Sequence, residues 1–278
     1  MSAAMPDLEV RLLLEAIYDR FHYDFRSYAM ASLKRRLAQA CDRLGVSTLS
    51  GLQERVLHEP ESFSMLLQYL TVQVSDMFRD PEFFLALRTQ VLPVLATYPS
   101  IKIWCAGCST GEEPYSLAIL LHEEGLLDRT IIYATDINAQ ALREASAGVY
   151  PLARLRGFTE NHRRAGGRTS LSDYYHSSGA ASESAIFDSA LRRKITFSDH
   201  SLATDNVFSE VHLVTCRNVL IYFDHTLQTR AFRLFAEALI GRGFLGLGSK
   251  ESLRFSEAAP FFEDFAMPER IYRKKGAA

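Results

Sequence analysis

Apolar positions divide the chain into two textures. Leu8, Leu12 or Leu13, and Ile17 recur at helical spacing, and Met30, Leu33, Leu37, Cys41 and Leu44 form a second stripe. The first ~75 residues therefore predict helices. Gly45 stands where the second helix should end. From about residue 85, apolar runs with β-branched residues alternate with helical stretches: IKIWCA, EPYSLAILLHEEG, TIIYATDI and AQALREASAG. That alternation predicts a mostly parallel sheet with helices on both faces. VHLVTC reads as a third strand, HTLQTRAFRLFAEALIG as a long amphipathic helix, and FLGLG as a fourth strand. The closing ERIYRK reads as a last edge strand. Between these lies a stretch of another kind, at about 156–195. There Gly166-Gly167, the small polar tract HSSGAASES and the flanking runs SDYY and ALRRKITF predict a hairpin-like insert with a loop tip.

Composition narrows the class. At 278 residues with 47% hydrophobic content, the chain can bury a full core as one large domain or two smaller ones. A formal net charge of −2 argues against sequence-wide binding to nucleic acid or membrane. No apolar stretch approaches the ~18 residues of a membrane span. The opening MSAAMPDLEV lacks the layout of a secretory signal, so a cytoplasmic protein is expected. Cys105 and Cys108 form a C-x-x-C. Zinc would need about four ligands at compatible spacing, and no second pair accompanies this one, so both thiols are assigned to packing and no metal is expected.

Candidate chemistry gathers around IWCAGCSTGEEPY, a strand feeding a glycine turn that opens a helix. A triphosphate loop would place lysine after the second glycine. Here Gly111 is followed by Glu112-Glu113, two negative charges where a phosphate would sit, and the spacing of Gly107 and Gly111 fails the dinucleotide fingerprint. Asp136, at the carboxyl end of YATDI, suits ribose hydroxyls; alternatively it caps the next helix. Glu113 suits a cationic ligand, or serves as a favourable acid in a first helical turn. A ribose, no phosphate and a sulfonium together describe S-adenosylmethionine. LTVQVSDMFRDPEFF adds Gln73, Ser75 and Arg79 before a proline-initiated helix, Arg79 being either functional or a linker arginine. CRNVLIYF places Asn218 and Tyr222 after the third strand. On the second helix, Lys34, Arg35, Arg36 and Arg43 face only Asp42, as a solvated face or as a docking surface for an acidic partner.

STGEEPYSLA, ATDI, CRNVLIYF and the element ending at Arg79 together resemble the CheR-type chemotaxis-receptor methyltransferases, from about residue 8 to 275. The resemblance implies an α/β fold: a Rossmann-like S-adenosylmethionine methyltransferase domain at 79–278, a small antiparallel β-subdomain inserted at about 156–195, and an all-helical N-terminal domain at 1–78. Carried over, the cofactor contacts fall on Gln73, Ser75, Arg79, Glu113, Asp136, Ser201, Leu202, Arg217 and Asn218. The family typically has Asn at 73, Thr at 75 and Asn at 201. Met77 replaces a usual aromatic, and Ser249-Lys250-Glu251 a frequent His-Ser-Glu. The implied reaction is methyl transfer to glutamate γ-carboxylates of chemoreceptors, leaving S-adenosylhomocysteine, with Arg79 and Tyr222 positioning the acceptor. The resemblance favours the docking reading of Lys34, Arg35, Arg36 and Arg43, toward the receptor's cytoplasmic helical region. A monomer without nucleic-acid contact or membrane insertion is expected. Two other readings stand beside it: a transferase of this fold acting on another signalling protein, and a non-catalytic, cofactor-sensing adaptor.

Overall fold

A computed structural model describes residues 6–177, 183–254 and 256–276. The chain forms two compact units. One comprises residues 1–73, 202–205 and 222–231, the other residues 74–201, 206–221 and 232–278.

The first unit opens with four helices: α1 (Asp7–Phe21), α2 (Met30–Leu44), α3 (Leu49–His58) and α4 (Pro60–Leu70). Helix α1 buries Val10, Leu13, Leu14 and Ile17, an i, i+3, i+4, i+7 stripe. Leu8 and Leu12 lie off that stripe and are exposed. Gly45 ends α2 in the left-handed region at φ 67°, as its sequence position predicts. Thr48 caps α3 by accepting from the Gly51 N–H at 3.0 Å.

Helix α2 corrects the basic-face expectation at one residue. Position 36 lies three residues from Leu33 and four from Ala40, both buried, so the helical period turns Arg36 inward. Its guanidinium donates to the Ser32 carbonyl (3.1 Å), the Ser32 hydroxyl (3.0 Å) and the Leu70 carbonyl, and lies 5.0 Å over the Tyr222 ring. Lys34 pairs with Asp7, while Arg35 and Arg43 are exposed. Arg36 is therefore a packing cation inside the unit, not part of a docking face.

The second unit begins with a helix in three parts: α5 (Pro81–Ala86), a π turn (Leu87–Val91) and α6 (Leu92–Leu95). Pro93 lacks an N–H for the regular ladder, and the wide turn precedes it. There follow β1 (Ile101–Ala106), α7 (Glu112–Glu123), β2 (Thr130–Asp136), α8 (Ala139–Ala147), β3 (Val149–Pro151), α9 (Leu152–Arg164), β4 (Tyr175–Ser177), β5 (Ser184–Phe187), α10 (Ser189–Arg192), β6 (Ile195–Asp199), β7 (Val211–Cys216), α11 (His225–Ala238), β8 (Leu239–Leu247), β9 (Phe262–Ala266) and β10 (Ile271–Lys274). Seven strands form one sheet in the order β6-β2-β1-β7-β8-β10-β9. The pairs from β6 through β8 are parallel, and β10 is antiparallel to both β8 and β9. From β1 the chain moves outward to β2 and β6, then returns to β7 on the opposite side of β1. That reversal is the switch point at which open α/β sheets bind ligands beyond their carboxyl ends.

Three expectations change in this unit. Strand β6 arises from ITFSD, read in the sequence as part of the insert, and pairs with β2. Strand β10 is not an edge: β9 lies outside it, concealed by the acidic pair in FEDFA. The small antiparallel sheet, in the order β3-β5-β4, starts at Val149, and α9 between its strands buries Leu155, Phe158 and His162. The expected loop tip in HSSGAASES falls largely on 178–182, outside the described residues.

Candidate functional site

Strand β1 delivers the chain into the glycine turn beside β2 and β7. Gly107 has φ 75°, and a Cβ there would lie 2.4 Å from a Val219 methyl, so the turn packs directly against the segment that follows β7. The amides of Gly107 and Cys108 donate to the Thr135 carbonyl at 2.8 and 2.9 Å, clamping the turn to the end of β2. Gly111 then opens α7 at φ 94°, with room for a Cβ closed by Ala145 and Tyr150. Cys105, Cys108 and Cys216 are buried free thiols, and burial pushes each thiol up, away from the thiolate. Among the described residues, no group of three or more His, Cys, Asp or Glu is placed to hold a metal.

Asp136 sits where β2 ends. Its carboxylate accepts from the Ser109 N–H at 2.8 Å and the Asn138 N–H at 2.9 Å. Burial pushes its carboxyl up, against the pull of the Asn138, Ser109 and Ile137 N–H groups. The cap of α8 is Asn138, whose side chain accepts from the Gln140 and Ala141 amides, so the capping alternative for Asp136 is set aside. A carboxylate accepts about four hydrogen bonds, so these three amides leave Asp136 capacity for a ribose hydroxyl.

The acidic pair behaves differently from its sequence reading. Glu112 is fully buried; its carboxylate takes a 2.7 Å bond from Arg154 and a 2.8 Å bond from the Thr110 hydroxyl. Glu113 points to Arg217 at 3.0 Å and receives the Cys105 thiol at 3.4 Å. Each negative charge thus has its own arginine. The pair does not confront a ligand as two free charges, and repulsion of phosphate cannot be assigned to it.

Arg217 is the hub of this region. Buried at the end of β7, it bonds Glu113, the Asp80 carboxylate (2.9 Å) and the Arg79 carbonyl (2.7 Å), and lies 4.2 Å over the Phe83 ring. Its role is to join the segment before α5 to the start of α7. Arg79, fixed through its carbonyl, donates from its own guanidinium to the Val74 carbonyl at 3.1 Å. Among the described residues no carboxylate pairs with it. Ser75, half-buried, accepts at its carbonyl from Arg154. Asn218 stands in the left-handed region at φ 62°. Ser201 is half-buried just past β6.

The structure thus brings Arg79, Glu113 and Arg217 into one bonded cluster, and places Asp136 at the end of β2 and Asn218 just past β7, the two strands that flank β1. Gln73, Leu202 and Tyr222 belong to the other unit. There the Leu202 carbonyl accepts from Arg230 at 3.2 Å, and the Tyr222 carbonyl accepts from the Ala29 amide at 2.8 Å. Two groups went unrecognised in the sequence. Asp80, beside Arg79, gave no signal of its own. Glu251 stands in the sequence only as the end of a variant triplet, although an acid three residues after Gly248, the first residue past β8, is placed to reach amides around that turn.

A doubly wound sheet, a glycine turn without a phosphate-binding lysine, and an acid at the end of β2 define a nucleoside-binding α/β protein. Comparison with known sequences carries this further. Residues 73–267 match the family described as CheR methyltransferase, SAM binding domain, and residues 8–71 match CheR methyltransferase, all-alpha domain. A Pseudomonas putida protein named Cher3 is 59% identical over 268 residues, 96% of this chain and 97% of its own length. Chemotaxis protein methyltransferase 2 of Pseudomonas aeruginosa is 30% identical over 239 residues, 83% of each chain. The chemotaxis protein methyltransferase of Listeria monocytogenes is 28% identical over 253 residues, 90% of this chain and 92% of that one. The chain belongs to the CheR methyltransferase family, and its cofactor is S-adenosylmethionine.

Proposed function

We propose that this protein methylates glutamate side chains in the cytoplasmic helical region of chemoreceptors, giving glutamyl methyl esters and S-adenosylhomocysteine. The observation that carries the proposal is Arg79. Its backbone is anchored by Arg217 to the Glu113 cluster, while its guanidinium donates to the Val74 carbonyl and pairs with no acid among the described residues. A half-exposed arginine held in that way suits an acidic acceptor brought from outside the chain. S-adenosylmethionine, when bound, supplies an electrophilic methyl group. Gln73, Ser75, Arg79, Glu113, Asp136, Ser201, Leu202, Arg217 and Asn218 are the residues proposed to hold it, Asp136 at the ribose.

A glutamate of ordinary pKa, about 4.3, is ionised at neutral pH, so the acceptor needs no general base. What the chain must contribute is orientation, worth about 7–11 kcal/mol in well-aligned cases. Arg79 and Tyr222 are the proposed positioning groups for the acceptor carboxylate. Arg79 should align rather than clamp it, because two strong bonds to arginine would blunt its nucleophilicity. Residues 1–78 are proposed to face the receptor, through Lys34, Arg35 and Arg43, and residues 79–278 to carry out the transfer. Action in the cytoplasm, as a monomer, completes the reading; no helix among the described residues is long and apolar enough to cross a membrane.

The test is transfer of radiolabelled methyl to the host's receptors. Base-labile label on receptor, lost on replacing the methylated glutamates and sharply reduced by Arg79→Ala or Tyr222→Phe, is the expected result. Charge reversal at Arg35 and Arg43 should reduce receptor labelling and spare adenosylhomocysteine binding. Base-stable label, or label on a different signalling protein, would refute the substrate. Cofactor binding with no transfer to any acceptor would indicate an adaptor.

A further inference from the structure

The turn after β7, which carries Asn218, is held by a side chain that the reaction itself does not use. Glu251, 4% exposed, turns its carboxylate into a ring of four backbone amides. One oxygen accepts from Gly248 (2.6 Å) and Asn218 (3.0 Å), the other from Val219 (2.9 Å) and Leu220 (2.8 Å). Four donors converge on two oxygens, and no amide or hydroxyl side chain presents two acceptor oxygens on one carbon. The ring bears on both nucleoside-facing turns. Asn218 stands at φ 62°, in the left-handed region that asparagine enters more readily than most residues, and its N–H points into the ring. Val219, next to it, meets Gly107 so closely that any Cβ there would overlap its methyl at 2.4 Å. Gly248 is equally constrained, since a Cβ would lie 2.7 Å from the Glu251 carboxylate and 2.8 Å from the Asn218 amide.

We infer that Glu251 is a positioning residue for the cofactor pocket: its carboxylate fixes the Asn218–Leu220 turn, and through Val219 the glycine turn after β1. The inference rests on the proposed role of Asn218 as a cofactor contact. Glu251 touches no substrate, and its effect is exerted through the backbone it holds.

The experiment is calorimetric binding of S-adenosylhomocysteine to the full chain carrying Glu251→Gln, Glu251→Asp, Asn218→Ala, and Glu251→Gln with Asn218→Ala together. Glutamine turns an NH2 toward two of the four amides, leaving buried donors unmet. Glu251→Gln should weaken binding about tenfold or more. Asn218→Ala should also weaken it, and the double variant should bind within about twofold of the weaker single one. Glu251→Asp keeps both oxygens on a shorter stem and should fall between wild type and glutamine; it decides the matter if Glu251→Gln does not fold. In receptor methylation, the loss should appear in KM for the cofactor, with kcat nearly unchanged. Wild-type affinity in Glu251→Gln or Glu251→Asp, even with lowered thermal stability, overturns the inference. So do independent, multiplicative losses in the double variant, or wild-type affinity in Asn218→Ala. Binding needs no acceptor, so a chain that binds adenosylhomocysteine normally and methylates no receptor counts against the proposed substrate alone.

Discussion

Replacing Arg217 by methionine keeps the length and apolar stem of the side chain and removes its charge. Glu113, whose side chain is 14% exposed, then loses its ion pair at 3.0 Å. Asp80, at 44% exposed, loses its partner at 2.9 Å but is well hydrated. Breaking a buried pair costs about 3–5 kcal/mol, chiefly because the remaining charge is stranded. The Asp80 contact contributes at most about 1 kcal/mol, and the stacking over Phe83 about another 1 kcal/mol, part of which methionine recovers. The expected destabilisation is about 4 kcal/mol, the low end of the buried-pair cost plus about 1 kcal/mol from the two smaller losses. Trp104, the single tryptophan and fully buried in the sheet, reports unfolding of this unit in urea by its fluorescence. The same substitution made beside Glu113→Gln should cost only about 1 kcal/mol, because no charge is then stranded. A loss below about 1 kcal/mol in the wild-type background, or equal losses in both, would refute the view of Arg217 as a charge-balancing hub.

The remaining predictions concern pH and the glycine turn. Glu123, whose side chain is fully buried, is raised by burial but drawn further down by hydrogen bonds and charge from His162 and Arg88, to about 2 from an ordinary 4.5. A depressed carboxyl stabilises the fold above its unfolded value. That stability, on the order of 3 kcal/mol, should therefore be present at pH 7 and disappear as pH falls from about 4.5 toward 2. Urea titrations across that range should show the slope in wild type and a flatter profile in Glu123→Gln; identical slopes would contradict it. Gly107→Ala combines a left-handed φ of 75° with the Val219 overlap. It should lose about 2–4 kcal/mol and most of its adenosylhomocysteine affinity. Gly125→Ala is the control: its φ is 68° with nothing within 4 Å of the new Cβ, so only about 1–2 kcal/mol and no binding should be lost.

Much of this architecture is legible in the sequence, for identifiable reasons. IKIWCA, TIIYATD and VHLVTC lie in the sheet interior, so they read as continuous apolar runs. Gly45 marks a helix end in the sequence because it occupies a left-handed position there. The outer strands were harder. ITFSD and FEDFA carry acids and expose much of their length, so they lack a run of their own. Helix α9 was hidden by arginines and a central glycine, and its stripe of Leu155, Phe158 and His162 has only two apolar members. At the site, residue identity gave Asp136 and Glu113 their prominence, Arg217 entered through the family resemblance, and none of the three came with its partners. That Glu112 answers Arg154, 42 positions away, or that Arg36 turns inward beneath Tyr222, depends on tertiary proximity that spacing does not encode.

The placement of β10 has a consequence for the order in which the sheet is made. β8 and β9 both precede in the chain the strand that bonds to each of them. Until residues 271–274 emerge, β8 offers an unpaired row of amides and carbonyls, and β9 has no neighbour to join. Without them the chain carries an open sheet margin beside β7, and such margins invite pairing between chains. A chain truncated just short of residue 271 should be prone to self-association, and restoring residues 271–274 should cure it.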